Sequence, residues 1–264
     1  MPSQQRTSSN HFRSQPGYVA DNSLGWHSFR FLYAFHHAQR FQWLSKKIAS
    51  ARKSNVSILE IGCNDATSLS YVPVPVERYI GFDAGWRSGW KDGTAYGLEA
   101  ARQRYVGTEK IEFHCSHEHR DVAALSESFD FAFVLETFEY LETSQLESYV
   151  STLAEKVRPD GRVISTMPNE KGIPLLLKHV GSHLSGVRRS PYSAWELLQA
   201  VLGRTDHVPR MERSRKGFDY ERMAGLVGRY FRHVQLEPVD SPFFPLSLNL
   251  NIGMVASHTP LDSQ

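Results

Sequence analysis

Cysteine is scarce. Only Cys63 and Cys115 occur among 264 residues, too few for a secreted disulfide scaffold or a cysteine-built zinc site, so a reducing cytoplasm is the expected compartment. Long apolar runs are missing as well. No stretch approaches the roughly 18 residues that a membrane span requires, and Met1 to Gln15 is polar rather than signal-like. No internal repeat is visible, and net charge is almost nil, since 30 Lys and Arg against 28 Asp and Glu leave +2. What remains is 41% apolar and 12% aromatic, the make-up of a folded chain long enough to bury a large core without staples.

The small net charge hides a segregation. Residues 56–155 hold 7 basic and 17 acidic side chains, whereas residues 171–232 hold 12 basic and 5 acidic, with a knot at Arg210, Arg213, Arg215 and Lys216. The basic stretch either favours an anionic substrate, a phosphorylated lipid or a nucleic acid, or is plain solvated surface charge. No aromatic and basic binding module is recognisable, so nucleic acid is not an expected partner.

Along the chain, residues 1–23 are rich in Ser, Gln and Asn and read as a mobile tail. Residues 24–55 form a helical segment, with Phe29, Leu32, Tyr33, Phe41, Leu44 and Ile48 at mostly helical spacings. From 56 to 258, short apolar runs at Val56–Ile61, Arg78–Phe82, Ile111–Cys115, Phe129–Leu135 and Arg162–Thr166 alternate with helix-like segments, the pattern of a parallel sheet. Ser144 with Glu147 predicts a capping box, and the helix it opens is expected to stop at a Pro159-Asp160-Gly161 turn. A helical insertion is expected at about 169–217. It holds the cluster Leu175, Leu176, Leu177 and Val180, which either lines an acceptor pocket or packs as a lid, and a second capping box at Ser193 and Glu196. Tyr220–Phe231 reads as a helix, Val234–Glu237 as a strand, and the alternation of Leu248, Leu250 and Ile252 with Asn249 and Asn251 as a half-buried strand. The last two strands should form an antiparallel pair.

Chemistry concentrates after the first strand. Glu60-Ile61-Gly62-Cys63-Asn64-Asp65 places small or left-handed-tolerant residues where backbone must approach a ligand closely. Asp83 ends the second strand 21 residues after Gly62, the place for an acid that accepts hydrogen bonds from a ribose. In order, Ile58 to Cys63, Gly81-Phe82-Asp83, Phe129 to Leu141 and Val157 to Ile164 resemble four motifs of the class I S-adenosylmethionine-dependent methyltransferases.

That resemblance implies an α/β, doubly wound, mostly parallel seven-stranded sheet of the Rossmann-like methyltransferase kind, and S-adenosyl-L-methionine as cofactor. The cofactor-binding positions it implies are Arg40, Glu60, Gly62, Asn64, Asp83, Ala84, Ser116, His117, Leu135 and Glu136. Gly62 would lie under the methionine part, Asp83 at the ribose, and Ser116 or His117 at the adenine. The chain departs from the family in three places: Asn64 and Ala66 replace later loop glycines, Glu139-Tyr140 replaces a Glu-His pair, and a long segment with Trp86 and Trp90 follows Asp83.

The expected activity is methyl transfer to a small-molecule acceptor, with a glycan or lipid-linked precursor as the narrower expectation. His117, Tyr140 and His179 are candidate bases, beside His119 and His183, and the sequence does not choose among them. Two histidines two apart with no third partner predict no metal site. A nicotinamide-dependent oxidoreductase shares the strand, loop and acid but needs a fuller glycine fingerprint, and a non-catalytic nucleoside-binding relative would fit the lost glycines. Each site residue also has a plainer reading: Gly62 a turn, Asp83 a helix cap, Arg40 a surface charge.

Overall fold

The computed structural model describes residues 27–83, 96–116, 118–184 and 192–261, with backbone alone at 27–37, 96, 183 and 184. The expected tail, Ala84, Trp86, Trp90 and His117 lie outside the described residues. Seven strands form one sheet: β1 (Val56–Ile61), β2 (Val76–Asp83), β3 (Ile111–Cys115), β4 (Phe129–Leu135), β5 (Val157–Pro168), β6 (His233–Pro238) and β7 (Asn251–Ser257). Their order is β3-β2-β1-β4-β5-β7-β6. The first five run parallel, and β7 lies antiparallel between β5 and β6. Every residue of β1 and β4 is buried, which is why both strands read as continuous apolar runs rather than alternating ones. The chain leaves β1 in one direction for β2 and β3, and crosses to the other side for β4 and β5, so a crevice opens at the carboxyl ends of β1 and β4.

Seven helices accompany the sheet among the described residues: α1 (His27–Ser50), α2 (Tyr96–Arg104), α3 (His119–Ala123), α4 (Thr143–Lys156), α5 (Gly172–Leu184), α6 (Ala194–Val201) and α7 (Tyr220–Val227). Trp43, Leu44 and Ile48 of α1 and Leu98 and Ala101 of α2 join one core cluster, while Tyr149, Val150 and Leu153 of α4 and Met223 and Val227 of α7 join the other. The sheet is an α/β layer covered on both sides. Trp43 lies so close over Gly253 of β7 that a Cβ there would run into the indole ring. The same tryptophan donates from Nε1 to Glu237 at 3.1 Å, and Lys47 pairs with Glu237 at 2.6 Å. At the amino ends of the strands, Asp130 receives Lys53 at 2.7 Å and Arg158 at 3.0 Å. Burial opposes that charge, but Lys53 and Ser57 outweigh it and hold the carboxyl down at about 2.

Three local expectations are corrected. The helix expected to start with a Ser144–Glu147 capping box begins one residue earlier, at Thr143, and has no side-chain cap. Gln145 and Leu146 donate to the Glu142 carbonyl, so Ser144 already sits inside the first turn, and Glu147 faces Tyr230 and Arg229 instead. Pro159-Asp160-Gly161 is not a turn between helix and strand. Val157 already pairs with Phe129, and the three residues are absorbed as an irregularity within β5. Gly161 is needed there, because a Cβ would stand 2.8 Å from the Asp130 carbonyl oxygen. The last strand starts at Asn251, after a 3-10 turn at Leu246–Leu248, and is buried at every position rather than at alternate ones. Ile252, Met254 and Ala256 face one core cluster and Val255 the other, with Trp43, so neither face is left to water, while β5 and β6 pair its edges.

The segment between β5 and α7 departs from the sheet as expected. Asn169, fully buried, donates from Nδ2 to the carbonyls of Asn249 at 3.0 Å and Ser247 at 3.2 Å, tying the exit from β5 to the approach to β7. Leu175 of α5, Ala200 of α6 and Val208 form a small core of their own. The Ser193–Glu196 capping box is formed in full, with Glu196 accepting from the Ser193 N–H at 2.7 Å and Ser193 Oγ accepting from the Glu196 N–H at 3.2 Å.

Candidate active site

The loop after β1 is built from backbone that most residues avoid. Gly62 has φ +78°, Asn64 +47° and Ala66 +54°, so the chain turns sharply at the end of the strand. The N–H groups of Gly62 and Cys63 both donate to the Phe82 carbonyl, at 2.7 and 3.0 Å, which holds the loop to the end of β2. A Cβ on Gly62 would collide with the side chain of Thr137, just past β4. The ends of β1 and β4 therefore meet at this glycine. The Asp83 carboxylate accepts from the Asn64 N–H at 2.8 Å, so the acid at the end of β2 also secures the loop it faces.

Glu60 lies beneath that loop and is buried. Its carboxylate accepts from Tyr79 at 2.6 Å and from Ser68 at 2.5 Å. Burial pushes it up to about 7, Asp65 adds to the rise, and its hydroxyl donors and the Arg40 charge oppose it. Arg40 lies over the Phe41 ring at 4.7 Å, and its Nε is buried without a hydrogen-bond partner among the described residues. An orphaned guanidinium nitrogen on the Glu60 side of the crevice fits an anionic ligand group such as a carboxylate.

On the other side of β2, Ser116 donates its N–H to the Asp83 carbonyl at 3.1 Å. Phe82 and His114 stack at 4.8 Å, and both line a cavity of about 280 Å³ with Cys115, Ser116, Asp121, Ala124 and Leu125. A flat, partly apolar recess beside Asp83 suits an aromatic base.

Past β4, Leu135 is buried and Glu136 takes φ +52°, a left-handed conformation that an ordinary side chain adopts only under constraint. Two contacts supply that constraint. The Glu136 N–H donates to the Thr166 carbonyl at 2.8 Å, and its carboxylate receives Arg215 Nη2 at 2.8 Å. Arg215 also donates from Nε to the Tyr140 hydroxyl at 3.0 Å and stands 3.6 Å from Glu139. Glu139 is fully enclosed, and neither carboxyl oxygen has a hydrogen-bond partner among the described residues. Burial first, and the Glu136 charge second, push Glu139 up to about 8. At neutral pH it holds its proton, which leaves the Glu136–Arg215 pair electrically balanced. Burial weakens the Arg215 charge, but Glu136, Tyr140 and Glu139 more than compensate and raise its pKa.

The basic knot thus has work inside the molecule. Arg210 donates to the carbonyls of Leu141 at 2.9 Å, Glu139 at 3.3 Å and Phe138 at 3.4 Å, Arg213 pairs with Glu142 at 2.9 Å, and Lys216 with Glu196 at 2.9 Å. The knot clamps the insertion onto the acidic turn after β4, with Arg213 largely exposed and the other three partly or well buried. Arg215 was singled out from sequence only as a member of the basic knot and not as a site residue, and Thr137 was not singled out. The opposite charge excess of the two regions was the available signal for Arg215, whereas nothing local marks Thr137.

The remaining candidates are dispersed. Tyr140 lies in the cluster just described. His119 sits in α3, edge-on to Tyr149 at 6.0 Å, and His179 is half-buried on α5, where its carbonyl accepts from Ser182. The His183 side chain and all of His117 and Ala84 lie outside the described residues. No group of three His, Cys, Asp or Glu able to hold a metal occurs among the described residues.

These features define a Rossmann-like α/β protein whose strand order reverses between β1 and β4, with a recess beside Asp83. The chain belongs to the methyltransferase-domain family, which matches residues 33–225, and it uses S-adenosylmethionine. No curated protein matches it. Among solved structures, magnesium protoporphyrin IX methyltransferase from Synechocystis PCC 6803, with bound SAH, is similar over 91% of this chain and 90% of that one, at 13% identity and a TM-score of 0.55. A S-adenosylmethionine-dependent methyltransferase from Clostridium acetobutylicum is similar over 87% and 98%, at 10% identity and a TM-score of 0.54. The methyltransferase domain of bacterial CtHen1 is similar over 84% and 98%, at 16% identity and a TM-score of 0.53. At such identities the likeness is one of fold.

Proposed function

We propose that this methyltransferase acts in the cytoplasm on a small-molecule acceptor, a glycan or lipid-linked precursor, bound between the turn after β4 and the insertion. The observation that carries this reading is the Arg215–Glu136 ion pair, which draws the insertion across the carboxyl ends of β4 and β5. An insertion with many exposed apolar residues favours an acceptor that has an apolar part. Both cysteines are free, which agrees with a reducing compartment.

In the proposed arrangement, S-adenosylmethionine supplies a methyl group already activated on a sulfonium. Arg40 receives its carboxylate, and Gly62 gives the backbone clearance for its methionine part. Asn64 and Asp83, joined through the Asn64 N–H, set the ribose position, while Ser116, beside the Phe82–His114 recess, borders the adenine. Leu135 and Glu136 flank the reacting end. Transfer of an activated methyl needs alignment and exclusion of water more than acid–base chemistry, and the clamp formed by Arg210, Arg213 and Arg215 provides both. Tyr140 and Glu136 are the polar groups of the cluster nearest an acceptor hydroxyl or amine. Glu139, enclosed and protonated, adds no second negative charge beside the Glu136–Arg215 pair.

The test is incubation of the pure protein with methyl-labelled S-adenosylmethionine and fractionated cell extract. Label should appear in a small glycan or lipid-linked fraction. Label confined to protein or nucleic acid would overturn the acceptor assignment.

A further inference from the structure

Two sides of the crevice meet at one side chain. The Gly62 loop, where the methionine part of the cofactor is placed, is held to β2 through the Gly62 and Cys63 N–H groups. The turn after β4, on the acceptor side, is held by the Glu136–Arg215 pair. Thr137 joins them. Its Oγ1 and Cγ2 fill the space that a Cβ on Gly62 would take. The same hydroxyl donates to the Leu135 carbonyl at 3.1 Å, and the Thr137 carbonyl accepts from the Tyr140 N–H at 2.9 Å. The Leu135 carbonyl explains why a hydroxyl stands here. The Glu136 N–H of the same peptide group points to β5, where it meets Thr166, so across a planar trans peptide the Leu135 carbonyl points to β1. But β1 ends at Ile61, and the Cys63 N–H, next in step to reach that carbonyl in a continued ladder, donates to Phe82 instead. Thr137 supplies the donor that the ladder lacks.

That hydrogen bond fixes the Thr137 side chain, and the side chain fixes how near the turn stands to Gly62. The residue before it, Glu136, is at φ +52°, a strained backbone that persists while Arg215 and the Thr166 carbonyl hold it. The residue after it, Phe138, is buried in the core. Thr137 therefore sits between an anchored neighbour and a strained one. The turn has two arrangements: left-handed with Arg215 engaged, or relaxed with Thr137 displaced from Gly62. A ligand that steadies the Gly62 loop favours the first. Methyl transfer depends on the alignment of donor and acceptor, and the Gly62–Thr137 contact sets the separation of the two sides that hold them.

We propose that Thr137 is a positioning residue that couples a filled cofactor site at Gly62 to a shut Arg215 clamp, so that cofactor binding orders the acceptor side. The inference rests on the cofactor placement given above and is independent of which acceptor is methylated. In the full chain, amide hydrogen exchange is followed with and without saturating S-adenosylhomocysteine at Met211 and Phe218, whose N–H groups donate to the Lys216 and Arg215 carbonyls at 3.1 Å. Exchange at both should slow about fivefold, the lower end of coupling between sites. Thr137→Ser keeps the hydroxyl and should retain the slowing, whereas Thr137→Ala should bind the ligand and lose it. A purely structural Thr137 would lower the thermal midpoint of Thr137→Ala and leave the slowing intact. Reciprocity gives a second reading that needs no change at Thr137: Arg215→Met should weaken S-adenosylhomocysteine by a similar factor in calorimetry. In a Thr137→Ala background the same change should have no further effect. Should Thr137→Ala fail to fold, wild-type exchange and the Arg215→Met affinity decide the matter. Three outcomes overturn the proposal: no slowing in the wild type at saturation, equal slowing in Thr137→Ala, or an unchanged affinity in Arg215→Met. A wild type that binds no S-adenosylhomocysteine would refute the cofactor placement itself, and the coupling with it.

Discussion

Arg215 Nη2 and Glu136 Oε2 lie 2.8 Å apart although 79 residues separate them in sequence, and this pair fixes both the strained turn after β4 and the insertion that crosses it. Arg215 keeps 32% side-chain exposure, so Arg215→Met should cost about 1–3 kcal/mol, less than the roughly 3–5 kcal/mol of breaking a fully buried pair. Arg215→Lys should recover little, since an ammonium cannot meet Glu136 and Tyr140 with the same planar fork. Denaturant melts of the three proteins check both expectations.

Glu139 gives stability a pH dependence of known sign. Its carboxyl titrates near 8 in the folded chain against about 4.3 when unfolded. Between those values the folded state holds the extra proton, so stability is fully present below about pH 4, declines as pH rises toward 8, and then levels. Glu60, pushed up to about 7, acts in the same direction over a narrower range. A Glu139→Gln variant should show a flatter fall in thermal midpoint from pH 5 to 8. An unchanged slope would mean that Glu139 is ionised in the native state.

Gly62→Ala places a methyl group against Thr137 in a backbone region with φ +78°. S-adenosylhomocysteine should bind at least about tenfold more weakly, near 1.4 kcal/mol, by calorimetry. Asp83→Ala should weaken the same ligand by a similar factor, because it removes the acceptor of the Asn64 N–H together with the proposed ribose partner.

Ser193→Ala should cost about 1 kcal/mol, the usual loss of a cap. Ser144→Ala should stay within about 0.5 kcal/mol, as expected of a residue inside a helix with no capping role. Thermal midpoints of the two variants, measured side by side, discriminate a formed capping box from one that exists only as a sequence pattern.

Much of this architecture was written in local patterns. β1 and β4 could be read because each is a short apolar run buried throughout, and Gly62 and Asp83 could be read because loop and acid stand at a fixed separation. The two capping boxes show the limit: Ser144-Gln145-Leu146-Glu147 and Ser193-Ala194-Trp195-Glu196 look equivalent, yet tertiary partners for Glu147 decide against the first. The burial of β7 was hidden because it depends on core clusters that form on both faces of the sheet. The partner of Arg215 was hidden for a related reason, since only folding brings the basic knot to the acidic turn. Exposure of Leu177 beside buried Leu175 likewise depends on which face of α5 meets Ala200.

The position of β7 has a consequence for how the molecule is made. The strand that closes the edge of β5 is the last of the seven to emerge from the ribosome, after the insertion, α7 and β6. Until then β5 presents unpaired amides and carbonyls, and α1, which precedes all seven strands in sequence, lacks Gly253 and Glu237 as docking partners. Between the emergence of β5 and that of β7 the nascent chain therefore carries an open sheet edge and an undocked helix, a state that favours aggregation, and closure of the sheet awaits residues 251–257.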